Sequence, residues 1–305
     1  MTIVAPNFAR GGSSRDGTTQ NNVLPLVRLQ RSLGEVKVSF KRRADRTALA
    51  TVHQSGCCKA RFPVPEPSAW PEAVLINTAG GLTDGDRVSV KAGWRAHAQA
   101  TITTQAAERI YRSRGGPARI RNKLSIAANA TAFWLPQETI LFDGGQFERN
   151  FVADIADSGR LLACESTVFG RSAMDETVRS GLLFDTWRVR YANELVFADG
   201  LRLDGDILKR LERPALMRGA SAIASVILVD RDAAHLIELL RTILDTTSSV
   251  SGCSSVGPVV VIRLLAGSGA DLRRDLILIL QETMRLLRQD GEPTGCTPLP
   301  RVWSC

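Results

Sequence analysis

RVSVKAGWRAHAQATIT (residues 87–103) alternates apolar and polar side chains along most of its length. Val88 and Val90 alternate with Arg87, Ser89 and Lys91. Ala96, Ala98, Ala100 and Ile102 face one way, and His97, Gln99, Thr101 and Thr103 face the other. Successive side chains of an extended chain project to opposite faces, so this period of two predicts half-buried β-strands with one wet face each. The same alternation runs outward in both directions, from about residue 33 to residue 205. Val36, Val38 and Phe40 show it, as do Ala118, Ile120, Leu124 and Ile126, and then Trp187, Val189 and Tyr191. Glycine-bearing turns separate the runs, at Gly80–Gly81, Gly85, Gly115–Gly116 and Gly144–Gly145 among others. Many short strands joined by turns predict a sandwich, a barrel or a coiled β-solenoid. No fixed-period repeat is present, which argues against a regular repeat solenoid.

The pattern changes after Leu208. Strand-like runs at 226–229 and 259–267 each precede a helical stripe. Leu236, Leu239, Leu240 and Ile243 share one face, and Leu272, Leu276, Ile279, Leu280 and Leu287 share another. Helices are therefore expected near 232–245 and 271–289, added to a mainly β body. Residues 1–22 read as a flexible tail and 23–305 as one β-rich domain.

Composition narrows the function classes. Of 305 residues, 44% are apolar and 23% charged, as in ordinary globular proteins. The apolar runs are too short to span a bilayer, and the start of the chain has no apolar core of a secretory signal. Six cysteines without a CxxC pair suggest free thiols in a reducing cytosol. The net charge of +8 is concentrated early, with ten Lys or Arg against three Asp or Glu in residues 1–60. KRRADR (41–46) is the densest run. It reads as a solvated loop between strands rather than a nucleic-acid patch, because no aromatic residues interleave with it for base stacking.

Catalytic signatures are missing from the sequence. Asp86 and Arg87 follow Gly85 where a phosphate-binding loop needs Lys and Ser or Thr. There is no GxGxxG and no GxSxG, and the three histidines (53, 97, 235) stand in no nucleophile-base pattern. His53, Cys57 and Cys58 are soft donors, but a closed zinc site needs a fourth ligand at a recognised spacing. The remaining candidates are the carboxylates Asp84, Asp86, Glu138, Asp143, Glu165 and Glu176. A β-helical carbohydrate enzyme would use a spaced acid pair and aromatic platforms, and neither is evident.

Five motifs taken in order resemble the urease accessory protein UreD (UreH) family. They are NTAGGLTDGD (77–86), TTQAAERIYRS (103–113), WLPQETILFDGG (134–145), FGR (169–171) with Glu176, and PRVW (300–303). Asp175 stands where that family usually has glycine. The resemblance covers roughly residues 30–303 and singles out Gly80, Gly81, Gly85, Gln105, Tyr111, Trp134, Pro136 and Arg171 as motif positions. It implies an irregular β-helical body with two C-terminal helices. It also implies a non-catalytic cytoplasmic scaffold that joins a UreF-type protein and a UreG-type GTPase on apo-urease and assists nickel insertion. No tightly bound cofactor, nucleic acid or membrane is expected, only Ni²⁺ in transit. Gly80, Gly81 and Gly85 are expected to permit positive φ or close strand approach. Asp84 and Asp86 either cap that turn or line a polar passage for Ni²⁺ with weak oxygen contacts. Glu138 and Asp143 carry the same two readings.

Overall fold

The computed structural model describes residues 30–64, 70–171, 174, 176–287 and 299–304. The N-terminal segment read as a tail lies outside them. One wall of the body is a seven-stranded sheet. Its parallel middle comprises β1 (Leu33–Arg43), β5 (Arg87–Trp94), β8 (Ala118–Ile126), β11 (Gln146–Ile155) and β13 (Ser180–Tyr191). Antiparallel strands close it at either end, β2 (Arg46–Gly56) against β1 and β14 (Glu194–Asp206) against β13.

The facing sheet has a parallel middle of β4 (Glu72–Asn77), β6 (Gln99–Thr104), β9 (Thr131–Leu135) and β12 (Arg160–Phe169). Antiparallel β3 (Cys58–Arg61) ends one side. On the other side β15 (Ala222–Val229), β17 (Val259–Ala266) and β16 (Val250–Val256) follow in that order. A narrow third side is made by β7 (Glu108–Ile110) and β10 (Thr139–Leu141). The chain thus winds from sheet to sheet and stacks each coil on the last, as a β-solenoid.

The coils differ in length, which is why no sequence period exists. Arg87 lies beside Arg119, 32 residues on; Ala118 lies beside Phe147, 29 on; Gln146 lies beside Leu182, 36 on. The variation is absorbed in the corners.

One expectation needs correction. The inner strands β6, β9, β12 and β15 of the second sheet have no wet face, whereas β3 and β16 at its ends keep exposed positions. Thr101 and Thr103 are buried along with Ala100 and Ile102, and β9 (TAFWL) is buried at every position. The reason is a second apolar layer. Between the sheets lies one core, containing Phe40, Trp94, Phe147, Phe151 and Trp187. Outside the second sheet lies another, where Phe133, Leu162 and Val226 pack against α2 (Ile237–Leu244) and α3 (Gly269–Leu286). A one-turn 3₁₀ helix at Ala233–Leu236 leads into α2, and a short α1 (Ile207–Leu211) precedes β15. Ser268 caps α3 by accepting from the Asp271 amide at 3.1 Å. The basic run at 41–46 forms the exposed β1–β2 hairpin turn, with Ala44 at φ 53°.

Candidate functional site: a charged cavity behind a four-coil corner

The corner is built from backbone registers. Leu82 pairs with Ile110, Ile110 with Leu141, and Leu141 with Phe169, all in parallel. Four segments far apart in sequence therefore occupy the same place in four successive coils. Glycine makes the lowest coil possible. Gly81 has φ +146°, and a Cβ there would fall 2.3 Å from the Tyr111 ring and 2.8 Å from the Arg109 carbonyl oxygen. Tyr111 crosses over this glycine and donates from its hydroxyl to the Gly80 carbonyl at 3.2 Å.

Behind the corner, between the two sheets, lies a cavity of about 250 Å³. Its wall includes Cys58, Asn77, Gln105, Glu108, Asn122, Trp134, Pro136, Arg149 and Glu165. At the corner side, Asn77 donates from its amide to both oxygens of Glu108, at 3.0 and 3.1 Å. Burial pushes the Glu108 carboxyl up to about 7 against the pull of that amide.

The deep side is a charged cluster bridging the sheets. Arg149 of β11 donates to Glu165 of β12 at 2.6 Å and to Thr139 at 3.3 Å. Its other two donors fork onto Asp185 of β13, at 3.1 and 2.5 Å. Glu165 also accepts from Trp134 Nε1 at 3.0 Å and Asn122 Nδ2 at 3.2 Å. Burial alone would lower Arg149, but Asp185 and Glu165 raise it, so the guanidinium stays charged. Burial also pushes Glu165 up, further than Arg149 and the neutral donors pull it down. Asn122 Oδ1 and Gln137 Nε2, on residues of the cavity wall, have no hydrogen-bond partner among the described residues. Val36, Leu75, Val88, Val90 and Ile120 complete the wall, so the polar groups stand at the corner and at depth of an otherwise apolar cavity.

Comparison with known proteins bears on the corner directly. A family model described as UreD urease accessory protein matches residues 32–304. The chain belongs to the UreD family. A UreD urease accessory protein of Rhodopseudomonas palustris (strain ATCC BAA-98 / CGA009) is 42% identical over 273 residues, covering 90% of this chain and 93% of that protein. One from Chelativorans sp. (strain BNC1) is 40% identical over 287 residues, covering 94% and 99%. "Urease accessory protein UreD 3" of Bradyrhizobium sp. (strain BTAi1 / ATCC BAA-1182) is 38% identical over 281 residues, covering 91% and 95%.

In this UreD-family chain, four of the five motifs that carried the resemblance are the four coils of the corner. The fifth reaches the same region from the far end of the chain. Trp303 of PRVW donates from Nε1 to the Leu135 carbonyl at 3.1 Å. Arg273 of α3 lies over the Trp303 ring at 5.2 Å, donating to Gln137 Oε1 at 2.6 Å and to the Val302 carbonyl at 2.8 Å. FGR joins through Arg171, which pairs with Glu176 at 2.6 Å and covers the Phe142 ring at 4.4 Å.

The four carboxylates chosen from sequence are all engaged with protein groups. Asp84 accepts from the Ser113 hydroxyl and from the amides of Arg114 and Gly115, at 2.5 and 2.9 Å. Ser113, those amides and Arg31 hold its carboxyl below the usual range. Asp86 accepts from the amides of Ser32 at 2.7 Å and Thr83 at 2.9 Å. Asp143 accepts from the amides of Arg179 and Ser180, at 2.9 and 3.1 Å, and pairs with Arg112 at 2.5 Å. Although burial works the other way, these groups hold its carboxyl low. Glu138 pairs with Arg273 at 3.3 Å. These acids gather around the corner, while Gln105, Trp134 and Pro136 line the cavity itself. His53 is exposed on β2 near Glu35, at 3.8 Å. Among the described residues no three His, Cys, Asp or Glu side chains converge as metal ligands.

Sequence reasoning missed Arg149, Asp185, Asn122 and Glu108. Three of them left a signal. Arg149 stands between Phe147 and Phe151, Asp185 between Leu183 and Trp187, and Asn122 between Ile120 and Leu124. Each is a polar residue at an apolar phase of an alternating strand.

Proposed function

We propose that this UreD-family chain is a non-catalytic, cytoplasmic urease maturation factor. It serves as a scaffold that joins a UreF-type protein and a UreG-type GTPase on apo-urease and assists nickel insertion into the urease active site. The observation that carries the nickel role is the cavity with Glu108 at its corner side and Glu165 at depth. Carboxylate and amide oxygens attract a divalent cation, yet hold it far less tightly than thiolate sets do. An ion can then move between them with much of its water retained. In this reading nickel passes by Glu108 and Glu165. Glu138, Asp143, Asp84 and Asp86 flank that route and hold the corner that shapes it.

The test is Glu108→Gln, which keeps the Asn77 contact while removing a charge. Co-expressed with urease and the other accessory proteins, the variant is expected to co-purify with them as the unsubstituted chain does. Nickel content and urease activity are expected to fall. Full nickel loading by an assembled variant would overturn the passage. Failure of the unsubstituted chain to co-purify with urease subunits would overturn the scaffold.

A further inference from the structure

The β2–β3 junction holds two thiols side by side. Consecutive residues of a strand normally face opposite ways, but Gly56 at φ +59° breaks the alternation just before Cys57 and Cys58. The Cys57 backbone is pinned on both sides, its N–H to the Leu33 carbonyl at 3.0 Å and its own carbonyl by the Thr78 amide at 2.8 Å. Opposite lies Gly34, whose missing side chain makes the room. A Cβ on Gly34 would fall 2.3 Å from Cys58 Sγ and 2.8 Å from Cys57 Sγ. The two sulfurs are thus no further apart than those two distances laid end to end. Cys58 is 5% exposed and lines the cavity, whereas Cys57 is half-buried. Neither is in a disulfide. Lys59, next along, donates to the Gly56 carbonyl at 3.0 Å, which holds an ammonium on the same turn.

We infer that Cys57 and Cys58 form a two-thiol site for a soft monovalent cation of the Cu(I) class, at the edge of the cavity that Cys58 lines. Paired thiolates are the ligands that select such an ion. A first-row metal–sulfur bond is about 2.3 Å, so two in line span roughly 4.6 Å. That span is within the limit set by Gly34. No third protein ligand is required, which matches the lack of a three-residue cluster among the described residues. Uptake balances as Cu⁺ plus two thiols giving a bis-thiolate complex of charge −1 and two protons released. Lys59 offsets the resulting negative charge.

The experiment uses the full chain carrying Cys253→Ser, Cys296→Ser and Cys305→Ser, so that those three thiols do not contribute. Titrated anaerobically with Cu(I) against the chromophoric competitor bathocuproine disulfonate, this chain is expected to withdraw one equivalent. Adding Cys57→Ser is expected to abolish that equivalent with the melting temperature unchanged. A Cys57→Ser chain that still withdraws the full equivalent, or a reference chain that withdraws none, would overturn the site. Copper K-edge absorption on the loaded reference chain decides the matter even if Cys57→Ser misfolds. Two sulfur neighbours alone support the site, and nitrogen, oxygen or a third sulfur refutes it.

Discussion

Arg149 grips Asp185 with a two-bonded fork, Nε to Oδ1 at 3.1 Å and Nη2 to Oδ2 at 2.5 Å, across adjacent parallel strands. With Glu165 on its remaining donor, one buried guanidinium faces two buried carboxylates. Removing the guanidinium strands both acids. Arg149→Met is expected to cost about 3–5 kcal/mol in urea unfolding. The triple replacement with Glu165→Gln and Asp185→Asn should recover much of that loss. Equal destabilisation by the single and triple variants would show that the charges are not what matters.

The corner glycines are not equivalent. Gly81→Ala meets both an unfavourable φ and the Tyr111 ring and Arg109 carbonyl, and should cost roughly 2–5 kcal/mol. Gly85, at φ +75°, has open space where a Cβ would go. Gly85→Ala should therefore cost only the left-handed penalty of about 1–2 kcal/mol. Thermal melts of the two variants rank them directly.

Trp303 ties the last described residues to the corner through the Leu135 carbonyl and the Arg273 guanidinium. It is 2% exposed. Trp303→Ala is expected to destabilise by about 3–5 kcal/mol, as large aromatic truncations in cores do. Arg273→Ala should loosen the same three-way junction, and the double variant should cost less than the two single losses added together. Chemical denaturation of the four chains closes that cycle.

Glu108 sets a pH dependence with a defined sign. Its folded-state value of about 7 lies above the ordinary 4.5, so between those values the folded chain holds more protons than the unfolded one. Stability contributed at this position is intact below pH 4.5 and declines as pH rises to about 7. Glu108→Gln abolishes the decline. The stability difference between variant and unsubstituted chain should grow across that window and flatten above it. A difference independent of pH would contradict the burial of the charged form.

The first sheet was legible because its outer face is wet, so Val36, Val88 and Val90 alternate visibly with charged neighbours. The second sheet was legible as strands but not as a doubly covered layer. In TAFWL, burial on both faces removes the alternation that would have revealed the helices packed outside it. The corner could be read only through the family motifs, since coil lengths of 32, 29 and 36 residues leave no period to detect. The charged cluster had a physical signature all the same. Arg149 breaks the apolar phase of its strand, and so does Asp185 on the neighbouring one. Two misplaced charges on strands that later prove adjacent mark a buried ion pair. That adjacency is a property of the stacking, and no local window of sequence contains it.

Stacking also fixes the order in which the molecule can be completed. Each new coil finds its partner strand in the coil just before it, so the chain can be laid down progressively during synthesis, always leaving one unpaired parallel edge. In the first sheet that edge is closed only by β14, and in the second only after β15, β17 and β16 are in place. A nascent chain halted near residue 170 therefore presents exposed strand edges on two sheets at once, a surface prone to pairing with other chains. Its need for protection is greatest just before the strands from β13 onward emerge.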